Sequence, residues 1–199
     1  MAYCVGLIAS DGCLSSDGRH IDLTSKDIDL LETFKRLLDL NAKIGTKGDG
    51  RGGSCYRVQF SNVAFYDFLL GVGLTPNKSK TLQIRYIPDI YYPDFLRGCF
   101  DGDGSTYAYW DKRWKSSHMF YSVFVSASHS FICWLTENNY RLAGLGDLKP
   151  RMESRVWCIK YAKKDTQKLF DFMYYSSDVP KLARKHDKLI DFLAVKPLE

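Results

Sequence analysis

Two aspartates stand out by their setting. Asp11 and Asp103 each close a stretch that reads Gly, two apolar residues, two variable positions, then Asp-Gly. The first copy runs from Gly6 through Leu7, Ile8, Ala9, Ser10 and Asp11 to Gly12; the second runs from Gly98 to Gly104. The copies are offset by 92 residues at every matched position. A short apolar run with Gly inside it reads as a buried helix that meets a twin at close range, because a missing side chain lets two backbones approach. Gly6, Ala9 and Ser10 offer that helix interface in the first copy, and Gly98 and Gly102 offer it in the second. Helices paired this way end side by side, and two carboxylates converge at the negative ends of two helix dipoles. Such a pair persists when a cation or a proton lies between its members. Carboxylates, water and backbone carbonyls (Ser10 and Gly102 are the nearest) suit a hard divalent ion, which points to Mg²⁺. One such stretch would be an ordinary helix end with a glycine cap. Two at equal spacing, each opening a similar string of elements, form a repeat.

The elements that must position these acids also repeat. After Gly12 the pattern predicts strands over 13–16 and 19–25, with a turn at Asp17 and Gly18 between them. A helix is predicted over 27–40, where Leu30, Leu31, Phe34, Leu37 and Leu38 share one face and Ser25 or Asp27 caps the start. Strands over 42–47 and 56–61 flank a Gly-rich loop, and a helix over 62–70 follows. The second half predicts strands over 106–110 and 119–126, a helix over 129–142, strands over 147–154 and 156–161, and helices over 165–175 and 179–195. Pro88 and Pro93 mark 75–94 as the connection. The expected class is α/β, more strictly α+β: a pseudo-twofold pair of αββαββα units, residues 1–87 and 88–199, packed as one body.

Composition narrows the partners. The chain has 199 residues, 45% of them hydrophobic, and a formal net charge of +5. That balance permits a polyanionic partner without requiring one. Tyrosine is abundant, with 13 residues, and suits a half-exposed binding surface because the ring packs while the hydroxyl stays wet. The six cysteines form no C-x-x-C pair, which argues against structural zinc. With no secretory leader pattern, reduced thiols and an intracellular setting are expected. No apolar stretch approaches the roughly 20 residues of a membrane span, so no membrane partner is expected.

At the repeated motif the chain resembles the LAGLIDADG homing endonucleases in their single-chain, two-motif form. The nonapeptide lines up with Cys4 to Gly12 and with Leu96 to Gly104. The likeness continues through 21–38, through 74–82 with its Thr-Pro-Asn-Lys-Ser-Lys, and through 94–105 and 157–189. It implies motif helices at a central interface and two antiparallel four-stranded sheets that ride in the DNA major groove. The last acid of each motif would bind the metal, which on this chain means Asp11 and Asp103. The earlier acid of the nonapeptide is Ala9 in the first copy and Asp101 in the second. Many relatives carry Gln after the second strand, where this chain has Ser25 and either Ala127 or Ser128. A basic residue near each scissile phosphate is implied as well: Lys78 or Lys80 in one half, Arg184 or Lys185 in the other.

The implied activity is site-specific hydrolysis of one phosphodiester in each strand of double-stranded DNA. It would leave 5′-phosphates and short 3′ overhangs. Strand residues that alternate outward are the candidate DNA contacts. In the first half these are Ser15, Arg19, Lys43, Lys47, Arg51, Arg57 and Gln59. In the second they are Tyr107, Tyr109, Lys112, Arg113, Lys115, Lys149, Arg151, Arg155 and Lys160. Arg, Lys and Gln can read purine edges or grip phosphates. The halves differ at these positions, so the long target is expected to be weakly palindromic and the protein a monomer. The scaffold also serves intron RNA-splicing maturases and non-cleaving DNA-binding proteins, which makes intron RNA the alternative partner.

Overall fold

In the computed structural model, which describes residues 1–48, 53–114 and 116–195, two halves repeat one order of elements. The first contains α1 (Ala2–Ser10), β1 (Gly12–Leu14), β2 (His20–Ser25), α2 (Ile28–Leu37), β3 (Ile44–Gly48), β4 (Ser54–Ser61) and α3 (Val63–Val72). The second contains α4 (Tyr92–Asp103), β5 (Ser105–Trp110), β6 (His118–Ser126), α5 (His129–Ala143), β7 (Arg151–Glu153), β8 (Val156–Ala162) and α6 (Lys163–Met173), with α7 (Ala183–Ala194) added at the end. Each half builds a four-stranded antiparallel sheet, in the orders β1-β2-β4-β3 and β5-β6-β8-β7. The strand that leaves each motif is therefore an edge strand, and both sheets start at the centre of the molecule.

The period of two decides what each sheet buries. Leu14, Ile21, Leu23 and Val58 face Leu30, Leu31, Phe34 and Leu69, while Phe124, Ile159 and Tyr161 face Phe131, Ile132, Leu135 and Leu169. The opposite face of each sheet carries no covering helix. Local chemistry sets the helix starts. Asn62 Oδ1 accepts from Phe65 N at 2.9 Å, and Ser128 Oγ accepts from Phe131 N at 3.3 Å. At α2 the expected cap is replaced by a turn, in which Ser25 Oγ accepts from Asp27 N at 3.1 Å. The Asp17–Gly18 turn forms as expected, with Gly18 at φ 78° and Asp17 Oδ1 receiving Arg19 N and His20 N.

Helices α1 and α4 pack against each other at the centre. Every residue of α1 from Tyr3 to Ala9 is buried, as suits a helix that is apolar all round. A Cβ on Gly6 would sit 2.2 Å from Phe95 O, and one on Gly98 would sit 2.1 Å from Tyr3 O. Only glycine permits this approach at either position. Gly12 and Gly104 act through close packing and not as left-handed helix caps. Neither has positive φ; a Cβ at Gly12 would lie 2.6 Å from Ile8 Cα and one at Gly104 2.5 Å from Phe100 O.

Several boundaries moved. The strand expected over 147–154 is confined to Arg151–Glu153, since Pro150 has no N–H for the ladder. The last helix starts at Ala183 and not at Val179, because Pro180 holds the residue before it out of helical geometry. Helix α2 stops at Leu37, and Asp39 turns the chain with φ 51°.

Candidate nuclease centre

Asp11 and Asp103 meet where α1 and α4 end. A Cβ on Gly102 would lie 1.9 Å from Ser10 Oγ and 3.0 Å from Asp11 Oδ2, so the second helix runs its backbone past the first acid. Asp11 is half-buried, while Asp103 keeps an exposed edge. Burial and then the neighbouring Asp103 push the Asp11 carboxyl up to about 7. Burial also raises Asp103, against the pull of Lys185 and Lys78. Neither carboxylate accepts a hydrogen bond from any described residue.

Two lysines flank this pair with the symmetry of the fold. Lys78 Nζ donates to Gly12 O, and Lys185 Nζ donates to Gly104 O at 2.6 Å, the matching carbonyl of the other half. Lys185 also donates to Phe100 O at 2.8 Å and Gly102 O at 2.6 Å. Both side chains are buried, at 6% and 9% exposure. Burial lowers both pKa values, Lys185 to about 8, so Lys185 remains mostly charged at neutral pH. Of the expected basic residues, then, Lys78 and Lys185 lie near enough to act on both carboxylates through their charge, without bonding to either. Lys80 is exposed, and Arg184 lies elsewhere, bound through two nitrogens to Asp27 at 2.7 and 2.6 Å.

The earlier acid of the second motif is structural. Asp101 is 2% exposed and accepts from Tyr3 Oη and Leu182 N, each at 2.8 Å. Nearby Arg97, fully buried, donates to Met173 O at 2.5 Å and Pro180 O at 2.7 Å and pairs with Asp94. These bonds pin the segment carrying Lys185 against α4. A cavity of about 250 Å³ opens beside the acids, lined among others by Ser10, Lys78, Cys99, Asp103, Ser126 and Ala127. Ser128 is occupied as a helix cap and as a donor to Leu82 O at 2.7 Å.

The outer sheet faces carry many of the expected DNA contacts. On the first, Arg57 and Gln59 alternate with buried Val58, and Lys47 lies alongside on β3. Arg57 is committed to Asp22 at 2.7 Å. Ser15 and Arg19 sit at the β1–β2 turn, and Lys43 just precedes β3. On the second sheet, Tyr107 and Tyr109 face outward, and Lys160 pairs with Glu153 at 2.7 Å. Lys112 and Arg113 occupy the β5–β6 hairpin, while Lys149, Arg151 and Arg155 lie at the far edge. Arg51 and Lys115 lie outside the described residues. Sequence reasoning missed Tyr121, which stands opposite Tyr107. Its alternation with inward-facing Phe120 and Ser122 carried the signal.

Residues 1–70 match a family model described as a LAGLIDADG-like domain. No curated protein matches the sequence. Among solved structures, the chain is similar to the homing endonuclease I-WcaI bound to its DNA recognition sequence. The TM-score is 0.65 at 15% identity, covering 94% of this chain and 84% of that one. The LAGLIDADG meganuclease I-AabMI bound to uncleaved DNA gives 0.64 at 16% identity, covering 96% and 87%. Full-length WhiA from Thermatoga maritima gives 0.59 at 11% identity, covering 98% of this chain and 60% of that one. Residues 1–70 are thus similar to a LAGLIDADG-like domain, and the chain as a whole has the fold of the homing endonuclease I-WcaI and the LAGLIDADG meganuclease I-AabMI.

Proposed function

We propose that this chain is a site-specific double-stranded DNA endonuclease that hydrolyses one phosphodiester in each strand with Mg²⁺ held by Asp11 and Asp103. The observation that carries this reading is the convergence of two carboxylates, one from each half, with a buried lysine fixed beside each. The donor set fits a hard cation: two carboxylates without hydrogen-bond partners among the described residues, and carbonyls of Ser10 and Gly102 close by. Gly102 O already serves Lys185, but a carbonyl oxygen has a second lone pair. When bound, the metal would activate water and neutralise charge on the phosphate. The chain's own groups do the rest. Lys78 and Lys185 hold positive charge beside the acids, where a phosphate would gain it. The outer sheet faces would grip the duplex on both sides of the centre; I-WcaI and I-AabMI, whose fold the chain shares, are bound to DNA. One copy supplies both acids, so a monomer suffices.

The test is cleavage of a duplex selected from a randomised library in the presence of Mg²⁺. Asp11→Asn and Asp103→Asn should each abolish double-strand cutting while duplex affinity stays within a few-fold. Undiminished cutting by both variants rules out the assigned roles. Tight binding without any Mg²⁺-dependent cutting by the wild-type chain would make it a non-cleaving DNA-binding protein.

A further inference from the structure

The uncovered faces of the two sheets are chemically unlike. Along β2, β4 and β3 the outward residues are polar apart from Gly45 and buried Cys55: His20, Asp22 and Thr24, then Arg57 and Gln59, then Lys47. On the second sheet the outward face is divided: β5 and β6, next to the centre, carry rings and aliphatic chains, and the charged Lys160, Arg151 and Glu153 lie farther out on β8 and β7. Tyr107 and Tyr109 project from β5, and Met119, Tyr121 and Val123 project from β6. The three tyrosines form one stack. Ring centroids are 5.1 Å apart for Tyr107 and Tyr121, 6.2 Å for Tyr109 and Tyr121, and 6.4 Å for Tyr107 and Tyr109, with planes within 8–20° of parallel. Lys160, the cation of this face opposite Val123, is held by Glu153 at 2.7 Å.

From this contrast we propose that the second sheet reads its DNA half-site through thymine methyl groups, with Tyr107, Tyr109 and Tyr121 as the specificity-determining residues. The inference rests on the endonuclease reading given above, which brings this face to a major groove. A major groove shows a protein hydrogen-bonding edges and one apolar group, the C5-methyl of thymine. A polar face such as the first sheet's can use the edges. A face of exposed, near-parallel rings flanked by Met119 gains most from the methyl, whose contact removes apolar surface from water. The two halves of the target should therefore differ in kind. One is specified by hydrogen bonds, and the other is richer in thymines that cannot be exchanged.

Uracil tests this with a change confined to the methyl group. Duplexes are first selected from a randomised library with Ca²⁺ as the divalent ion, and affinity is then measured by filter binding. Uracil is placed for thymine in one half-site at a time. In one half, affinity should fall about fourfold per buried methyl, from about 0.8 kcal/mol per CH₂-sized group; in the other it should hardly change. A Tyr107→Ala, Tyr109→Ala double variant should bind thymine and uracil versions alike, with its melting temperature checked against wild type. Equal tolerance of uracil in both halves overturns the inference and leaves the endonuclease reading standing. So does a thymine preference that survives in the double variant, or tighter binding to single strands than to duplex. A chain that captures no duplex at all overturns both.

Discussion

At the scale of residues, the centre consists of two acids that accept no hydrogen bond from any described residue and two buried lysines bonded to backbone carbonyls. Lys185 makes three bonds to backbone carbonyls and Lys78 makes one, and both carbonyl sets belong to the motif segments. An ammonium fixed this firmly is preorganised and needs no reordering when charge develops on a phosphate nearby. Lys78→Met or Lys185→Met should therefore slow cleavage by about 10²–10³-fold, while Lys80→Ala and Arg184→Ala stay within a few-fold. Each lysine serves one half, so single-turnover assays should show nicked duplex accumulating, with opposite strands left intact in the two methionine variants. Equal slowing of both strands by either variant would remove the pairing of one lysine with one strand. The acids were legible in the sequence because a repeat marks equivalent positions without any structure. The choice between Lys78 and Lys80 was not. They flank Ser79 within a single turn of 3₁₀ helix, and only the packing of that turn against Gly12 buries one and exposes the other.

At the scale of elements, the meeting of α1 and α4 sets the distance between the acids. Two glycines govern it, and their replacement can be placed on a scale. An alanine at Gly6 or Gly98 puts a methyl within 2.2 Å of a backbone oxygen on the other helix. Backbone cannot rotate aside as a side chain can, so the helices must separate. Overpacking of this kind costs about 1–3 kcal/mol, or roughly 2–12 °C of melting temperature for a chain of this size. Cleavage should fall further than stability, because the acids move with the helices. Gly45→Ala, on an exposed strand with nothing within 4 Å of the added carbon, should leave both unchanged. Unaltered melting in Gly6→Ala and Gly98→Ala would contradict the close packing. Most elements could be read from periodicity, because half-buried strands and amphipathic helices write different periods into a sequence. The misplaced ends had local causes, a proline at Pro150 or Pro180 and a left-handed residue at Asp39, whose effect on length depends on the surrounding packing.

At the scale of the whole molecule, a net charge of +5 understates and misplaces the surface available to a polyanion. Several expected DNA contacts are already neutralised within the chain. Arg57 pairs with Asp22, Lys160 with Glu153 and Arg113 with Asp111. Lys43, Lys47, Lys112, Lys149, Arg151 and Arg155 are exposed and make no ion pair among the described residues. Those six stand at the outer reaches of the two sheets, away from the central acids, where a duplex laid across both sheets would present its phosphates. Each phosphate neutralised releases condensed counterions, so affinity should fall with salt at a logarithmic slope of about −5 for six contacts. Between 50 and 200 mM salt that is roughly a thousandfold. Filter binding across this range measures it directly. Lys43→Ala or Lys149→Ala should each make the slope shallower by about one unit. Lys160→Ala should leave it nearly unchanged, because that charge is spent on Glu153. A wild-type slope shallower than about −2 would mean that the six cations do not lie along the duplex, and the two-sheet interface would have to be abandoned.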